Sequence, residues 1–329
     1  YGDWKPYAFE VEELTRLFER NKDDMDEEVR RDIESGEWIF GRGVMDMKAG
    51  LMLQMAMIEQ AASGRFDGNV LLLAVPDEEV NSVGMRAAVP VLRDLAREEE
   101  LEYVMLVNSE PHFGHGDEQP DDRSHYVELG SIGKALPGFY CYGKETHVVY
   151  PFNGLNGNYM ASEVNTELEL DLNFTERLDG EGTPPPTNLI QYSLMNGYSV
   201  TIPYRAVTMF NLLLMEKTVD ELVDPLLATA ERAARRIERR YAERLRGYKG
   251  AAADEDGGIE VNVLTYERLF AEACAVHGRD KAEKQLADAL QSQAGDERAV
   301  TAAVVDAIGL MCKHLAPMIV LFFAPPYYL

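Results

Sequence analysis

Short apolar runs and amphipathic stretches alternate through the first third of the chain. "EWIFG" at 37–41 reads as a short strand. Residues 47–62 follow, apolar on nearly every face, which predicts a helix buried against a sheet. "NVLLLAVP" at 69–76 is a continuous β-branched and leucine-rich run bounded by Gly68 and Pro76, the pattern of a central parallel strand. A helix is predicted over 84–98, with Pro90 as a local irregularity, and then a strand at "YVMLVN", 103–108. Strand, helix and strand without tight hairpins predict an α/β fold with a mainly parallel sheet and right-handed crossovers.

Further on the pattern changes. "KALPGFYCYG" and "YSVTIPYRAVTMFNLLLM" read as strands, the second long and partly alternating. Residues 156–169 read as a helix, and "DGEGTPPPTN" at 179–188 as a turn-rich loop. Thr218 with Glu221 forms a candidate capping box, and Asp224-Pro225 a point where the helix could restart. Leu226, Ala230, Ala233, Ile237, Tyr241 and Leu245 then make one apolar stripe, with the arginine-rich face read as solvated. "GAAADEDGG" at 250–258 reads as a linker, and after about Tyr266 the chain is expected to return to the first domain through helices and a strand at 318–324.

Composition narrows the partners. The 329 residues are 46% hydrophobic, enough for a well-buried core. A net charge of −25 argues against nucleic acid or an anionic membrane surface as partner. Three well-separated cysteines, Cys141, Cys274 and Cys312, fit a reduced, cytoplasmic setting better than a disulfide framework. The longest apolar run, 316–329, is interrupted by Pro325-Pro326 and too short for a bilayer span. The opening "YGDWKPYAFE" has neither a Met nor an apolar core, so no signal peptide is expected; both ends read as internal to a longer chain.

The acids carry the chemistry. Asp46 lies in "GRGVMDMKAG"; Asp77, Glu78 and Glu79 follow the second expected strand; Glu110, in "NSEP", follows the third. In open α/β sheets the ligand crevice lies beyond the carboxyl ends of the strands. Each acid taken alone is read equally well as a solvated loop residue or a helix cap. Clustered, they repel unless one is protonated or a divalent cation lies among them. The glycines of "GRGVMD" do not make a dinucleotide fingerprint, because Asp46 stands where its third glycine belongs.

Together "GRGVMDMKAG", "VPDEEVNSVGM" and "NSEP" resemble the successive motifs of the M20 peptidase family, the co-catalytic zinc aminoacylases, desuccinylases and carboxypeptidases. "GKETHVVYPFNGLNGNYMASEV" resembles that family's inserted α+β lid. Longer phrases such as "TPPPTNL" and "PMIVLFFAPP" are similar to an arginine-utilisation branch of it. The resemblance implies a catalytic domain at 1–133, an inserted lid and dimerisation domain at 134–265, and a second catalytic segment at 266–329. It implies two zinc ions, with manganese or cobalt as alternatives. Asp46 would bridge them, with Glu79 and Glu110 as terminal ligands and Glu78 as general base. Asp77 would support the site from behind, and Lys48 would pair locally. His147 would reach the oxyanion or a substrate carboxylate from the lid, across a homodimer in some members. The substrate is then a small molecule or peptide with an amide bond, drawn from arginine or other amino-acid catabolism.

Two imidazole ligands of the family fall outside the motifs present, one before "YGDWKPYAF" and one after "APPYYL". His112 and His115, in "HFGH" beside Glu110, are a rival source. The arginine that grips a substrate carboxylate in many members has no counterpart in "FNLLLMEK"; Arg205 lies a few residues earlier as a weaker candidate. A non-hydrolytic relative that binds a metabolite or protein through the same cleft is the alternative function.

Overall fold

The computed structural model describes residues 2–79, 82–111, 127–195, 197–250, 258–292 and 295–328. The chain divides into two units, Tyr1–Glu128 and Leu129–Leu329. The fold is α/β.

The first unit is built on helices α1 (Val11–Arg20), α2 (Glu27–Ser35), α3 (Gly50–Gln60) and α4 (Val83–Glu98). Leu14 of α1 and Ile33 of α2 are buried. Phe18 of α1 stacks on Phe40, ring centroids 4.4 Å apart, and takes the edge of Trp4. Both expected helices are present, within three residues of their predicted starts. The three expected strands are not: among the described residues, 37–41, 69–76 and 103–108 carry no strand ladder. An apolar run supplies side chains for a strand, but its backbone needs neighbours on both edges to become one. Here those side chains stand open, with Val104 87% and Leu106 81% exposed. The burial expected for α3 is likewise absent, since Met52 and Leu53 are mostly exposed.

The second unit is organised by one sheet. Its strands are β1 (Gly133–Tyr142), β4 (Thr187–Ser193), β5 (Arg205–Leu214), β6 (Asn262–Thr265) and β7 (Met318–Tyr328), in the order β4-β5-β1-β7-β6. A separate two-stranded ribbon joins β2 (Arg177–Leu178) and β3 (Glu181–Gly182). The main pairings are antiparallel, and only β6 with β7 is parallel, so this sheet is mixed. Successive side chains of a strand point to opposite faces, and both faces here are apolar. Phe139 and Cys141 of β1 and Phe210 of β5 turn toward helices α5 (Gly157–Leu168) and α6 (Val219–Lys249). Leu136, Tyr140, Met209 and Val320 turn toward α7 (Tyr266–His277), α8 (Arg279–Ser292) and α9 (Glu297–Met311). The sheet is therefore covered by a helical layer on each side.

Residues 266–328 do not leave this unit, contrary to the expected return to the first domain. β7 lies inside the sheet between β1 and β6, paired with β1 from Met318 to Tyr328, and α7–α9 cover one of its faces. The pull is hydrophobic: Met318, Ile319 and Val320 are fully buried only because both layers close over them.

Local signals in this unit form as read. The Asn156 side chain accepts from the backbone N–H groups of Asn158 and Tyr159 and starts α5. The Glu221 carboxylate accepts from the Thr218 backbone N–H and hydroxyl at 2.8 and 2.9 Å and starts α6. α6 does not restart at Pro225 but runs 31 residues through it. Leu226, Ala230, Ala233, Ile237 and Leu245 of its stripe are buried. The opposite face is less solvated than expected. Arg232 pairs with Glu167 and Asp171, and Arg236 and Arg240 with the buried Glu163, so α6 is tied to α5 by charge as well as packing. The cysteines are free, and burial pushes the Cys312 thiol up to about 11.

Candidate active site

Asp46 sits in an irregular turn, with non-helical backbone angles, that leads into α3. Its peptide bond to Met47 is cis. The turn is held at its base by Lys48 N–H donating to the Gly43 carbonyl. α3 then begins against the segment that carries Glu110. A Cβ on Gly50 would lie 1.8 Å from the Ser109 carbonyl oxygen, so only glycine permits this approach. Gln54, one turn on, donates to the Val107 carbonyl at 3.2 Å and the Ser109 hydroxyl at 3.3 Å. Asn108 donates to Glu110 Oε1 at 2.9 Å and orients it.

The "DEE" turn is held from its other side. A Cβ on Gly84 would meet the Pro76 ring at 2.5 Å, so the first turn of α4 seats directly on the start of this turn. Asp77 takes a left-handed backbone (φ 69°), accepts from Ser82 N–H through its carbonyl, and accepts from Val83 N–H through its carboxylate at 3.3 Å. Asp77 thus shapes the turn that presents Glu78 and Glu79.

Within this unit the fold brings the acids of the three motifs into mutual electrostatic range. The Glu78 carboxyl is raised above its ordinary value, first by partial desolvation and then by the like charges of Glu79, Glu110 and Asp46. Crowded carboxylates whose charges are unrelieved fit a divalent cation in their donor chemistry. Among the described residues, however, no three His, Cys, Asp or Glu side chains stand together as a metal-ion cluster. His112 and His115 lie outside the described residues.

The other two candidates belong to the second unit. His147 is exposed on a loop beyond β1, bridged to Thr201, and its Nδ1 accepts from Val149 N–H at 3.2 Å. Arg205, at the start of β5, is not left open for a ligand. Its guanidinium pairs with Asp306 of α9, contacts Met195 Sδ and lies over the Tyr204 ring. Tyr140 donates to the other Asp306 oxygen at 2.8 Å. No sequence signal pointed to Asp306, which lies 101 residues from Arg205. Gly50 and Gln54 were visible within or just past the first motif, but their contact with 107–109 needed the fold.

With this geometry in hand, the sequence compares directly with known proteins. The pattern of Peptidase family M20/M25/M40 matches residues 19–324. The chain belongs to this peptidase family. It is 44% identical to the uncharacterized protein YqjN of Bacillus subtilis over 330 aligned residues, the whole of this chain and 60% of YqjN. It is 33% identical to protein RocB of the same organism over 248 residues, 74% of this chain and 42% of RocB. A succinyl-diaminopimelate desuccinylase of Shewanella loihica is 31% identical over 134 residues, 40% of this chain and 33% of the relative. The chain thus spans about half the length of YqjN and RocB. The family is one of peptidases, and its members are typically metal dependent. No helix among the described residues is long and apolar enough to cross a membrane.

Proposed function

We propose that this chain contributes the carboxylate side of a metal-dependent site that hydrolyses a peptide or N-acyl amide bond in a small amino-acid-derived substrate. The observation that carries this reading is the crowding of Glu78 by Glu79, Glu110 and Asp46. Asp46, Glu79 and Glu110 would hold the cation, with Asp46 as the shared ligand of two. Zinc is the expected ion, with manganese or cobalt as alternatives. When bound, it supplies an acidified water and polarises the scissile carbonyl. Glu78 takes the water's proton and delivers it to the leaving nitrogen. Asp77 and Asn108 keep Glu78, Glu79 and Glu110 aimed, and Lys48 closes the Asp46 turn through its backbone.

His147 is proposed to donate a hydrogen bond to the oxyanion or a substrate carboxylate. Acceptance from Val149 N–H at Nδ1 supports this, because it leaves Nε2 as the protonated, outward donor. If the second unit dimerises, His147 serves the neighbouring copy's site. Arginine or other amino-acid catabolism in a cytoplasmic setting is the proposed context, supported by the similarity to RocB. A relative that only binds a metabolite or protein has no use for a crowded Glu78, and no observation favours it.

The test uses a chain extended to the length of its relatives. Glu78→Gln should retain metal by elemental analysis and lose about 10²–10⁴ in rate on N-acyl amino acids. Glu79→Gln should lose metal. Equal metal loss in both, or full activity in the first, overturns the assignment. Mixing His147→Ala with Glu78→Gln chains should restore part of the activity if His147 acts across a dimer. No recovery after confirmed subunit exchange refutes that arrangement.

A further inference from the structure

Between the Asp46 turn and Glu110 stands a side chain that belongs to neither acidic motif. Among the described residues, 103–108 carries no strand ladder, so no neighbouring strand places its backbone. Side chains place it instead. At its start the Tyr103 hydroxyl donates to the Leu92 carbonyl of α4 at 2.9 Å. At its end α3 takes over. Gly50 lets the helix touch the Ser109 backbone. Gln54, on the same face one turn later, donates through Nε2 to the Val107 carbonyl at 3.2 Å and the Ser109 hydroxyl at 3.3 Å. The Val107 carbonyl can only accept, so the amide must turn its nitrogen toward it. Both Nε2 protons are then in use, one on each side of Asn108, whose own side chain donates to Glu110 Oε1 at 2.9 Å.

The same helix runs straight back into the turn of Asp46. α3 therefore carries one carboxylate at its head and grips the approach to another one turn further on. Gly50 permits that approach, but a van der Waals contact alone lets the segment slide along the helix. The two directional bonds from Gln54 fix its register. We infer that Gln54 is a positioning residue that sets the spacing of the Asp46 and Glu110 carboxylates. What those carboxylates hold rests on the proposed function; how they are held rests on the contacts themselves. The donors are what matter. A glutamate of the same shape only accepts, and would set its oxygens against the Val107 carbonyl. A methionine of similar length donates nothing.

NMR relaxation of the chain without metal reads the grip directly. Backbone order parameters at 107–110 should lie near about 0.85 in the parent chain and fall below about 0.6 in Gln54→Glu and in Gln54→Met. Tyr103→Phe, which removes only the tether to α4, should leave them unchanged. In a chain extended to the length of its relatives, both Gln54 variants should weaken zinc binding about 10–100-fold, while Tyr103→Phe keeps the parent affinity. The sign of the Gln54→Glu result is diagnostic: an added negative charge by itself attracts a cation, so a loss there reports geometry. Unchanged order parameters overturn the inference. So does zinc affinity that survives Gln54→Met but falls in Glu110→Gln, which leaves the proposed function standing. An equal loss of zinc in Tyr103→Phe overturns it as well, because general loosening then explains the effect. Zinc affinity untouched even by Glu110→Gln sinks the proposed function, and the inference with it.

Discussion

The two units of this chain use apolar residues in opposite ways. In the second, a mixed sheet is closed between α5–α6 and α7–α9, and Tyr140, Phe139, Phe210 and Leu212 are almost completely buried. In the first, the buried apolar side chains among the described residues are Ala8, Leu14 and Ile33, while the runs at 69–76 and 103–108 stand open. Yet the acids proposed for catalysis belong to the first unit. The well-packed unit supplies rigidity, and the other holds its acid motifs in place through a few close backbone approaches. What the difference teaches is that apolar content does not make a core; a second surface has to arrive to cover it.

Amide exchange gives the largest contrast. Strands β1, β5 and β7 should exchange at least about a thousandfold more slowly than 69–76 and 103–108, measured by mass spectrometry. Equal protection would erase the distinction between the units. A pair of truncations sharpens it. Phe210→Ala removes a fully buried ring and should cost about 3–5 kcal/mol in chemical unfolding, whereas Val104→Ala, at an 87% exposed position, should stay within about 0.5 kcal/mol. A large cost at Val104 would mean that the run is covered.

Smaller effects test how each unit is tied. Asp306→Asn leaves Arg205 without its anionic partner and should destabilise the second unit by about 2–3 kcal/mol. Gly50→Ala forces α3 away from Ser109 and should cost about 1–3 kcal/mol in the first unit, with reduced metal uptake in the extended chain. The smallest effect has a pH signature. Burial opposes ionisation of Glu176, but the backbone N–H groups of Met215, Glu216 and Lys217 outweigh it and hold the carboxyl below its ordinary value. A lowered folded-state value stabilises above the unfolded carboxylate range and is lost as pH falls through the folded value. Glu176→Gln should therefore cost about 1 kcal/mol at pH 7, and the gap to the parent chain should close toward pH 3.

Much of the candidate site could be read from the sequence because its motifs are local. Asp46, the "DEE" turn and Glu110 each lie within a few residues of the features that identify them. Helix starts were legible for the same reason: Asn156, Thr218 and Glu221 cap within three residues of themselves. The Arg232, Arg236 and Arg240 face was misread as solvent because its partners sit on α5 and just after it, 61 to 77 positions away for the bonded pairs with Asp171, Glu167 and Glu163. Arg205 was misjudged because Asp306 reaches it only when α9 lies on the sheet.

The sequence by itself determined the family, the acidic motifs and the short-range caps, since each depends on residues close in the chain. Only the tertiary structure decided which apolar runs became a sheet. β7 pairs with β1 from more than 170 residues away, and a ladder forms only where another strand presents its unpaired N–H and C=O groups at the right spacing. Likewise, the Glu78 carboxyl is raised first by the partial burial the fold gives it and then by Glu79, and the further push from Glu110 and Asp46 needs the tertiary structure, because charges act through space and not along the sequence.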